Sequence, residues 1–342
     1  MLSDSPTPTP QLTVVPYALW TAPEPKPAAW AQAFQHLKLP ALRAWVAQSQ
    51  RRVVAPPAPT GWAPGSLSLP HERVQAHALG WRLPDGALPW AALRAAALGL
   101  VADGLTSNAP SAWGFVSLCH WQVSHGQVIL GDPAHLAIDA PTDERLFNSM
   151  APFFAEDGLT LYRDLPGRWL VHAPLLAEVT TASLDRVVGR NIDPWLVGGE
   201  SPSGAAKLLR RLQNEMQMLL YTHAVNESRA ISINSFWLHG TGAIPAAASH
   251  APVPVNVVTH LRESAMQQDL MGWFEAWQRL DEEVLAPLRL AASSPQPPAL
   301  VLCGEHEHHV YDRAKPGLWQ RFMGQFKPLT LETVLTVAAP KE

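Results

Sequence analysis

Ser232-Ile233-Asn234-Ser235-Phe236-Trp237-Leu238-His239-Gly240-Thr241-Gly242 is the stretch on which the fold reading turns. Ile233, Phe236, Trp237 and Leu238 are bulky, strand-favouring residues. Gly240 and Gly242 permit a sharp turn or a close backbone approach. A strand running into Gly-x-Gly predicts an open α/β sheet, where ligands sit beyond the carboxyl ends of the strands. Gly-Thr-Gly alone has neither the third glycine of a dinucleotide fingerprint nor the Gly-Lys-Ser/Thr of a phosphate loop. Asn234, Gly240 and Gly242 are therefore candidates for ligand contact, and the alternative is a turn with no ligand.

The pattern on either side extends this reading. Ala205 to Tyr221 is helical, with Leu208, Leu212, Met216 and Leu219/Leu220 on one face. After the stretch, Val255–Thr259 reads as a strand, Asp269 to Leu290 as a helix and Ala299–Cys303 as a strand. That alternation predicts α/β with a mainly parallel sheet. Before it, Trp113–Leu118, Gln127–Leu130 and Leu136–Ile138 are short strand candidates, Glu144–Phe154 a helix, and Leu159–Tyr162 and Arg168–Val171 further strands. This middle part reads as a smaller α+β unit over 113–228, inserted into a split α/β core of 11–112 and 229–342. Within the first part of the core, Leu12–Val15 reads as a strand, Pro27–Gln50 as helical, Pro56–Pro64 as a proline-rich connection, and Pro70 and Trp90 as helix starts. Residues 1–10 are rich in Pro, Ser and Thr and are expected to be disordered.

Composition narrows the function classes. The chain has 342 residues, 47% of them hydrophobic, enough for a full core. Charged residues are 16% against a usual share of about a quarter, and 33 prolines cut the chain into short elements. Net charge is −4 with no basic stripe, which argues against a nucleic-acid partner. The N-terminus lacks the basic and apolar regions of a signal peptide, and no apolar run approaches the length of about 18 residues that a membrane helix needs. A cytoplasmic protein is expected. Cys119 and Cys303 each sit in an apolar run and read as buried reduced thiols, with a single disulfide as the alternative. The 14 tryptophans are scattered, which predicts packing roles rather than a stacking platform.

Several clusters carry candidate chemistry. Cys303-Gly304-Glu305-His306-Glu307-His308-His309 follows a buried strand, and imidazole with carboxylate suits Zn²⁺ or Mn²⁺. In an extended segment His306 and His308 share one face, while Glu305, Glu307 and His309 share the other. His260 and Glu263, at the end of the preceding strand, would complete a metal set with Glu305 and His306. The alternative is a solvated polar loop. Asn214, Gln217 and Tyr221 make a stripe on an apolar helix, either the wall of a polar pocket or local helix–loop hydrogen bonds. Arg229 suits an anion, or an ion pair with Glu227 or Glu215. His71-Glu72 at a helix start is either a catalytic pair or a capped N-terminus.

A family resemblance covers about residues 65 to 306. Its segments are Leu69–Arg73, Asp85–Ala92, Asp157–Leu159, Gly167–Trp169, Asn214–Leu220, His223–Asn226, Ile233–Gly242 and Leu302–Glu305. They resemble the RpfE-type regulatory-protein family of proteobacteria, often labelled phosphoglycerate mutase-like. A more distant likeness is to archaeal-type cofactor-independent phosphoglycerate mutases of the metal-dependent alkaline-phosphatase-like superfamily. Asn234 to Gly242 is similar to their Asn-x-x-x-Leu-Trp-Gly-x-Gly. Gly272 to Leu285, with Glu275 and Asp281, resembles the helix before their metal-binding strand, and Val301 to His306 resembles their strand-Gly-Asp-His.

The resemblance implies an alkaline-phosphatase-like α/β core with an inserted α+β unit. It also implies an Asp after the first strand, where this chain has Pro16-Tyr17-Ala18. A Ser or Thr nucleophile is implied at a helix start, where it has Pro70-His71-Glu72. An Asp-x-x-x-His metal pair is implied after Thr259, where it has His260 and Glu263. Two-metal phosphoryl transfer needs nucleophile and ligands together. The leading expectation is therefore a non-catalytic descendant, a regulatory or ligand-sensing pseudoenzyme. The alternatives are a metal-dependent phosphatase or mutase with a rebuilt site, in which His71 accepts a phosphoryl group, and a protein-binding module. The expected partner is a phosphorylated small molecule or another protein.

Overall fold

The computed structural model describes residues 12–54, 66–100, 111–199, 202, 204–291, 298–312 and 330–338. Residues 1–10 and the connection 56–64 lie outside the described residues. In chain order the strands are β1 (Leu12–Val15), β2 (Trp20–Thr21), β3 (Gln50–Val54), β4 (Trp113–Cys119), β5 (Trp121–Ser124), β6 (Gln127–Leu130), β7 (Thr160–Leu165), β8 (Arg168–His172), β9 (Ser235–Gly242), β10 (Val255–Val257), β11 (Ala299–Cys303), β12 (His308–Asp312) and β13 (Thr336–Val337). The helices are α1 (Ala28–His36), α2 (Pro40–Ala47), α3 (Pro70–Ala78), α4 (Trp90–Ala97), α5 (Ala140–Glu156), α6 (Leu184–Val187), α7 (Gly204–Tyr221), α8 (Arg262–Met266), α9 (Leu270–Leu280), α10 (Ala286–Ala291) and α11 (Leu331–Leu335).

The described residues fall into two compact units. One is drawn from Met1–Trp62, Pro70–Trp81 and Ala248–Glu342, the other from Ala63–Leu69 and Arg82–Ala247.

The first unit is built on a five-stranded sheet in the order β10-β1-β11-β12-β3. β1 runs parallel to β10 and β11, while β12 is antiparallel to both β11 and β3. With helices packed on it, this is the α/β class that the strand–helix alternation predicts. Strand alternation sorts its side chains. The pairs Val14–Val301, Val301–Val310 and Val310–Arg52 place those residues on one face. There Val14, Val301, Cys303 and Val310 form a small core with Leu12, Val54, Val74 and Val255. The odd-phase residues Val15, Leu300, Leu302 and Tyr311 face a larger core with Trp30, Phe34, Trp45, Trp273 and Trp277.

Helix α9 buries Trp273, Phe274, Ala276, Trp277 and Leu280, spaced three and four apart. Each large side chain removed from water there stabilises by roughly 2–3 kcal/mol. The helix expected over Pro27–Gln50 is two helices, because the chain turns extended at Leu37 and Pro40 opens the next helix at its first position. Buried Asp281 accepts from the amides of Ala41 (2.9 Å) and Leu42 (2.7 Å), satisfying two N-terminal donors of α2.

The second unit holds an antiparallel sheet in the order β7-β8-β4-β9 and the hairpin β5-β6. The Ser232–Gly242 stretch lies here. Its strand β9 pairs antiparallel with β4, with Val116 opposite Leu238 and Ser117 opposite Trp237. This corrects the expectation that the stretch belongs to the parallel core. Alternation specifies which face of a strand is buried but not which strand pairs with it. One face of this sheet packs Val116, Leu118, Trp169, Val171, Phe236 and Leu238 against Leu146, Met150 and Phe154 of α5 and Leu212, Met216 and Leu220 of α7.

Trp169, Trp273 and Trp277 are fully buried, in the packing role their scatter predicts. Cys119 and Cys303 are buried and free. Among the described residues no helix is long and apolar enough to cross a membrane.

Candidate functional site

A cavity of about 510 Å³ lies in the first unit, on the valine-rich face of its sheet. That volume is within the range of about 300–1,000 Å³ usual for small-molecule sites. One wall is the sheet itself, through Leu12, Val54, Val301 and Val310. The other is helix α3, which turns Pro70, Arg73, Val74, His77 and Ala78 to the space. These positions follow the i, i+3, i+4, i+7, i+8 rule of a single helical stripe.

The polar lining has one character. Among the described lining residues the polar side chains are Arg52, Arg73, His77, His250, His306 and His308, and none is a carboxylate. Arg52 comes from edge strand β3 and His308 from β12. They share a face because Val54 pairs with His308 and Arg52 with Val310. His306 comes from the turn between β11 and β12. Its ring lies 3.4 Å from Glu305.

His250 is placed by a strap of backbone. The Ser249 amide and hydroxyl both donate to the Gly80 carbonyl at 2.8 Å, and the Val253 amide donates to the Ala78 carbonyl at 2.8 Å. Gly80 has φ +78, and a Cβ there would stand 2.6 Å from the His250 carbonyl oxygen and 2.9 Å from the Ala248 Cβ. Only glycine allows this approach. The strap sets the His250 ring 5.3 Å from that of His77.

Burial, reinforced by Arg52, His309, Arg73 and His77, depresses His308 from 6.5 to about 4. At neutral pH His308 is a neutral imidazole with one donor and one acceptor. His309 points to the opposite face, where its Nε2 lies 2.8 Å from Glu307. The division of this cluster between two faces follows the extended reading of the sequence, but His308 and His309 lie in a strand and not in a polar loop. Two guanidiniums suited to carboxylate or phosphate, the neutral imidazole of His308 and an aliphatic floor give a surface that can receive an anion.

The proposed metal set is not brought together. His260 is exposed, with its Nε2 3.5 Å from Glu283, and Glu263 is exposed on α8. Glu305 and His306 adjoin each other. Among the described residues no three His, Cys, Asp or Glu side chains gather as metal ligands. The residues present thus do not fit the metal site that the resemblance implies.

His71 and Glu72 lie on the first turn of α3, and the His71 ring stands 5.6 Å from that of Tyr17. Tyr17 has φ 58, an uncommon left-handed backbone for a tyrosine, and its carbonyl accepts from Trp273 Nε1 at 2.8 Å. The end of β1 is also closed by the Ala18 amide donating to the Cys303 carbonyl at 2.7 Å.

The candidate ligand residues of the second unit have local partners. Asn234 clamps the Trp121 backbone, accepting from its amide at 2.7 Å and donating to its carbonyl at 2.9 Å. Arg229 donates to the carbonyls of Leu136 and Ile231. Gln217 reaches the Ser235 hydroxyl at 3.4 Å, while Asn214 and Tyr221 are exposed. Gly240 and Gly242 sit at an irregularity in the β4–β9 register. A Cβ on Gly240 would meet Phe115 at 3.1 Å and Trp90 of α4 at 3.3 Å, so this glycine admits a helix rather than a phosphate.

Sequence reasoning missed Arg52, Arg73, His77 and His250. The helical spacing of Pro70, Arg73, Val74, His77 and Ala78 is the sequence signal that points to two of them, on the face of α3 next to that of His71 and Glu72.

No family model and no curated protein matches the chain. Among solved structures it is similar to a cofactor-independent phosphoglycerate mutase from Thermoplasma acidophilum, at 12% identity over 94% of each chain and a TM-score of 0.35. It is also similar to the PH0037 protein from Pyrococcus horikoshii, at 10% identity over 89% of this chain and 87% of that one, with a TM-score of 0.41. Both are distant likenesses of fold.

Proposed function

We propose that this protein is a non-catalytic, ligand-sensing regulator in the cytoplasm, and that it receives a small molecule in the cavity between α3 and the valine face. The observation that carries this reading is the cavity's construction. A helix stripe, four sheet strands and a strapped loop turn their side chains to one space of ligand size. The regulatory part rests on chain connectivity. Pro70–Trp81 is bounded at both ends by chain of the second unit. A ligand that fixes α3 would restrain a segment from which the chain leaves the first unit at both ends, and this connectivity supports a regulatory role. The resemblance of segments between residues 65 and 306 to the RpfE-type regulatory family agrees with such a role.

The test pairs binding with turnover. The full chain is screened by ligand-observed NMR against a fragment library of mixed charge. It is also assayed against phosphoglycerate and a generic phosphate ester with Mn²⁺ or Zn²⁺ present. The expected result is binding that a Val301→Trp variant abolishes, without turnover. Turnover that His71→Ala removes would overturn the reading in favour of an enzyme.

A further inference from the structure

Resting on that binding reading, we infer that the ligand is an uncharged molecule with an apolar body and one hydroxyl or carbonyl group, the body lying against Val54, Val301 and Val310 and the polar group meeting the ring of His308. Three observations support the class. The first is the floor. Pairing across the sheet sets Val54, His308 and Cys303 in one row and Val310 and Val301 in the next, all on one face. Leu12, Pro70, Val74, Ala78 and Val253 extend the apolar lining. Such a surface rewards a ligand that brings hydrocarbon to bury, and the volume of about 510 Å³ suits a body larger than a single ring.

The second is His308 itself. Its strand lies between β3 and β11, so apolar neighbours flank it, whereas Arg52 is exposed on the edge strand. Burial keeps the ring neutral at neutral pH, with one donor and one acceptor. Among the described residues nothing hydrogen-bonds that ring. Buried polar groups are normally hydrogen-bonded, so an incoming hydroxyl or carbonyl finds its partner here. The third is charge. No described lining side chain is acidic, so an ammonium group would meet only imidazoles and guanidiniums. Any ionised head carried to the floor would exchange water for hydrocarbon and a neutral ring, which costs more than one hydrogen bond returns.

Matched probes test this directly. Naphthylmethanol carries both body and hydroxyl. Methylnaphthalene lacks the hydroxyl, benzyl alcohol lacks one ring, and naphthylmethylammonium and naphthoate carry a charge in its place. Calorimetric titration of the full chain is expected to give naphthylmethanol about fivefold tighter binding than methylnaphthalene, the fold-change of one net hydrogen bond. It should exceed benzyl alcohol by at least about tenfold, for the apolar area lost, and both ions by at least about fivefold. The naphthoate arm detects a carboxylate held at the Arg52 rim instead.

His308→Phe keeps a ring that suits a strand, so the variant should fold. It is expected to bring naphthylmethanol down to the affinity of methylnaphthalene and to leave methylnaphthalene unchanged. His308→Gln is the second variant. It restores a donor and an acceptor and should return most of the difference. Equal affinity for naphthylmethanol and methylnaphthalene, or tighter binding of either ion, would overturn the uncharged, hydrogen-bonding class while leaving a binding site. Failure of every probe, together with an empty fragment screen, would overturn the binding reading itself.

Discussion

Arginine is used in opposite ways in the two units. In the second, Arg94 and Arg168 both fork onto Asp164, at 2.6 and 2.5 Å, and that carboxylate has no exposed side-chain surface. Arg163 lies 3.1 Å from buried Asp143, which also accepts from the Gly167 amide and Trp169 Nε1. In the first unit, Arg52 and Arg73 stand on a cavity wall with four histidines and no carboxylate among the described lining residues. An arginine with a built-in carboxylate is spent on the fold. The first unit instead sets two arginines on the wall of a cavity whose described lining holds no carboxylate.

The comparison breaks first at Asp164. Burial raises this carboxyl, but Arg94 and Arg168 outweigh that effect and hold it below the usual Asp range. Asp164→Ala leaves two guanidiniums facing an empty acceptor. Removing one partner of a buried pair costs roughly 3–5 kcal/mol. Both arginines are more than a third exposed, and solvent screening reduces the expected loss to about 2–3 kcal/mol. Arg52→Ala should change stability by no more than about 0.5 kcal/mol, as for a surface residue outside any network. Urea denaturation of both variants checks the contrast, and equal losses would erase it.

The same contrast marks how far the sequence could be read. The α/β class was legible because Leu12–Val15, Val255–Val257 and Ala299–Cys303 are apolar runs separated by helical periodicity. The strand Ile233–Leu238 was visible as a strand, but its partner was not, since pairing with β4 brings together residues more than a hundred positions apart. Buried β12 was hidden by its composition. His308 and His309 also read as part of a polar loop, although alternation places Val310 and His308 on one face and His309 and Tyr311 on the other. The cavity was least legible, because Arg52, the α3 residues Arg73 and His77, and His250 come from three separate segments of the chain and none sits in a motif.

Gly80→Ala sharpens the comparison from the cavity side. The left-handed backbone costs any side chain about 1 kcal/mol or more. The new methyl also meets the His250 carbonyl oxygen at 2.6 Å, a backbone atom that yields only if the strap moves. The expected loss is about 2 kcal/mol, with weaker binding of naphthylmethanol as His250 is displaced. Gly126→Ala, also at positive φ but with open space around it, should show the backbone cost alone. Matching results for the two variants would show that the strap does not depend on Gly80.

Proton binding separates the units next. His308 on the cavity wall and His239 in β9 are both pushed down to about 4, His239 first by burial and then by Arg168, with its Nε2 2.9 Å from the Ser117 hydroxyl. Their folded values lie below the unfolded 6.5, so the unfolded chain binds more protons between the two. Each histidine therefore contributes stability that is complete above about pH 6.5 and is lost as pH falls toward 4. Solvent reaching the cavity limits the effect at His308, and about 1–2 kcal/mol is expected over that window from the pair. Histidine-resolved NMR titration with naphthylmethanol present should move the His308 midpoint further downward and leave that of His239 in place, because a bound apolar body displaces water only from the first. Equal movement of both would mean the ligand is not in the cavity.

The smallest effect comes from two adjacent amides on α7. Gln213 donates to the Phe236 carbonyl at 2.7 Å, tying the helix to β9, while Asn214 is exposed. Gln213→Ala leaves that carbonyl without its side-chain donor and should cost about 1 kcal/mol, the usual net worth of such a bond. Asn214→Ala replaces a poor helix former with the best one at a solvent position, so stability should rise by a few tenths of a kcal/mol. Neither change should alter the affinity for naphthylmethanol, since neither residue lines the cavity. A loss of affinity in Asn214→Ala would return the ligand to the second unit and reverse the assignment of roles, because it would mean that an exposed amide on a packed helix, and not the His308 cavity, recognises the ligand.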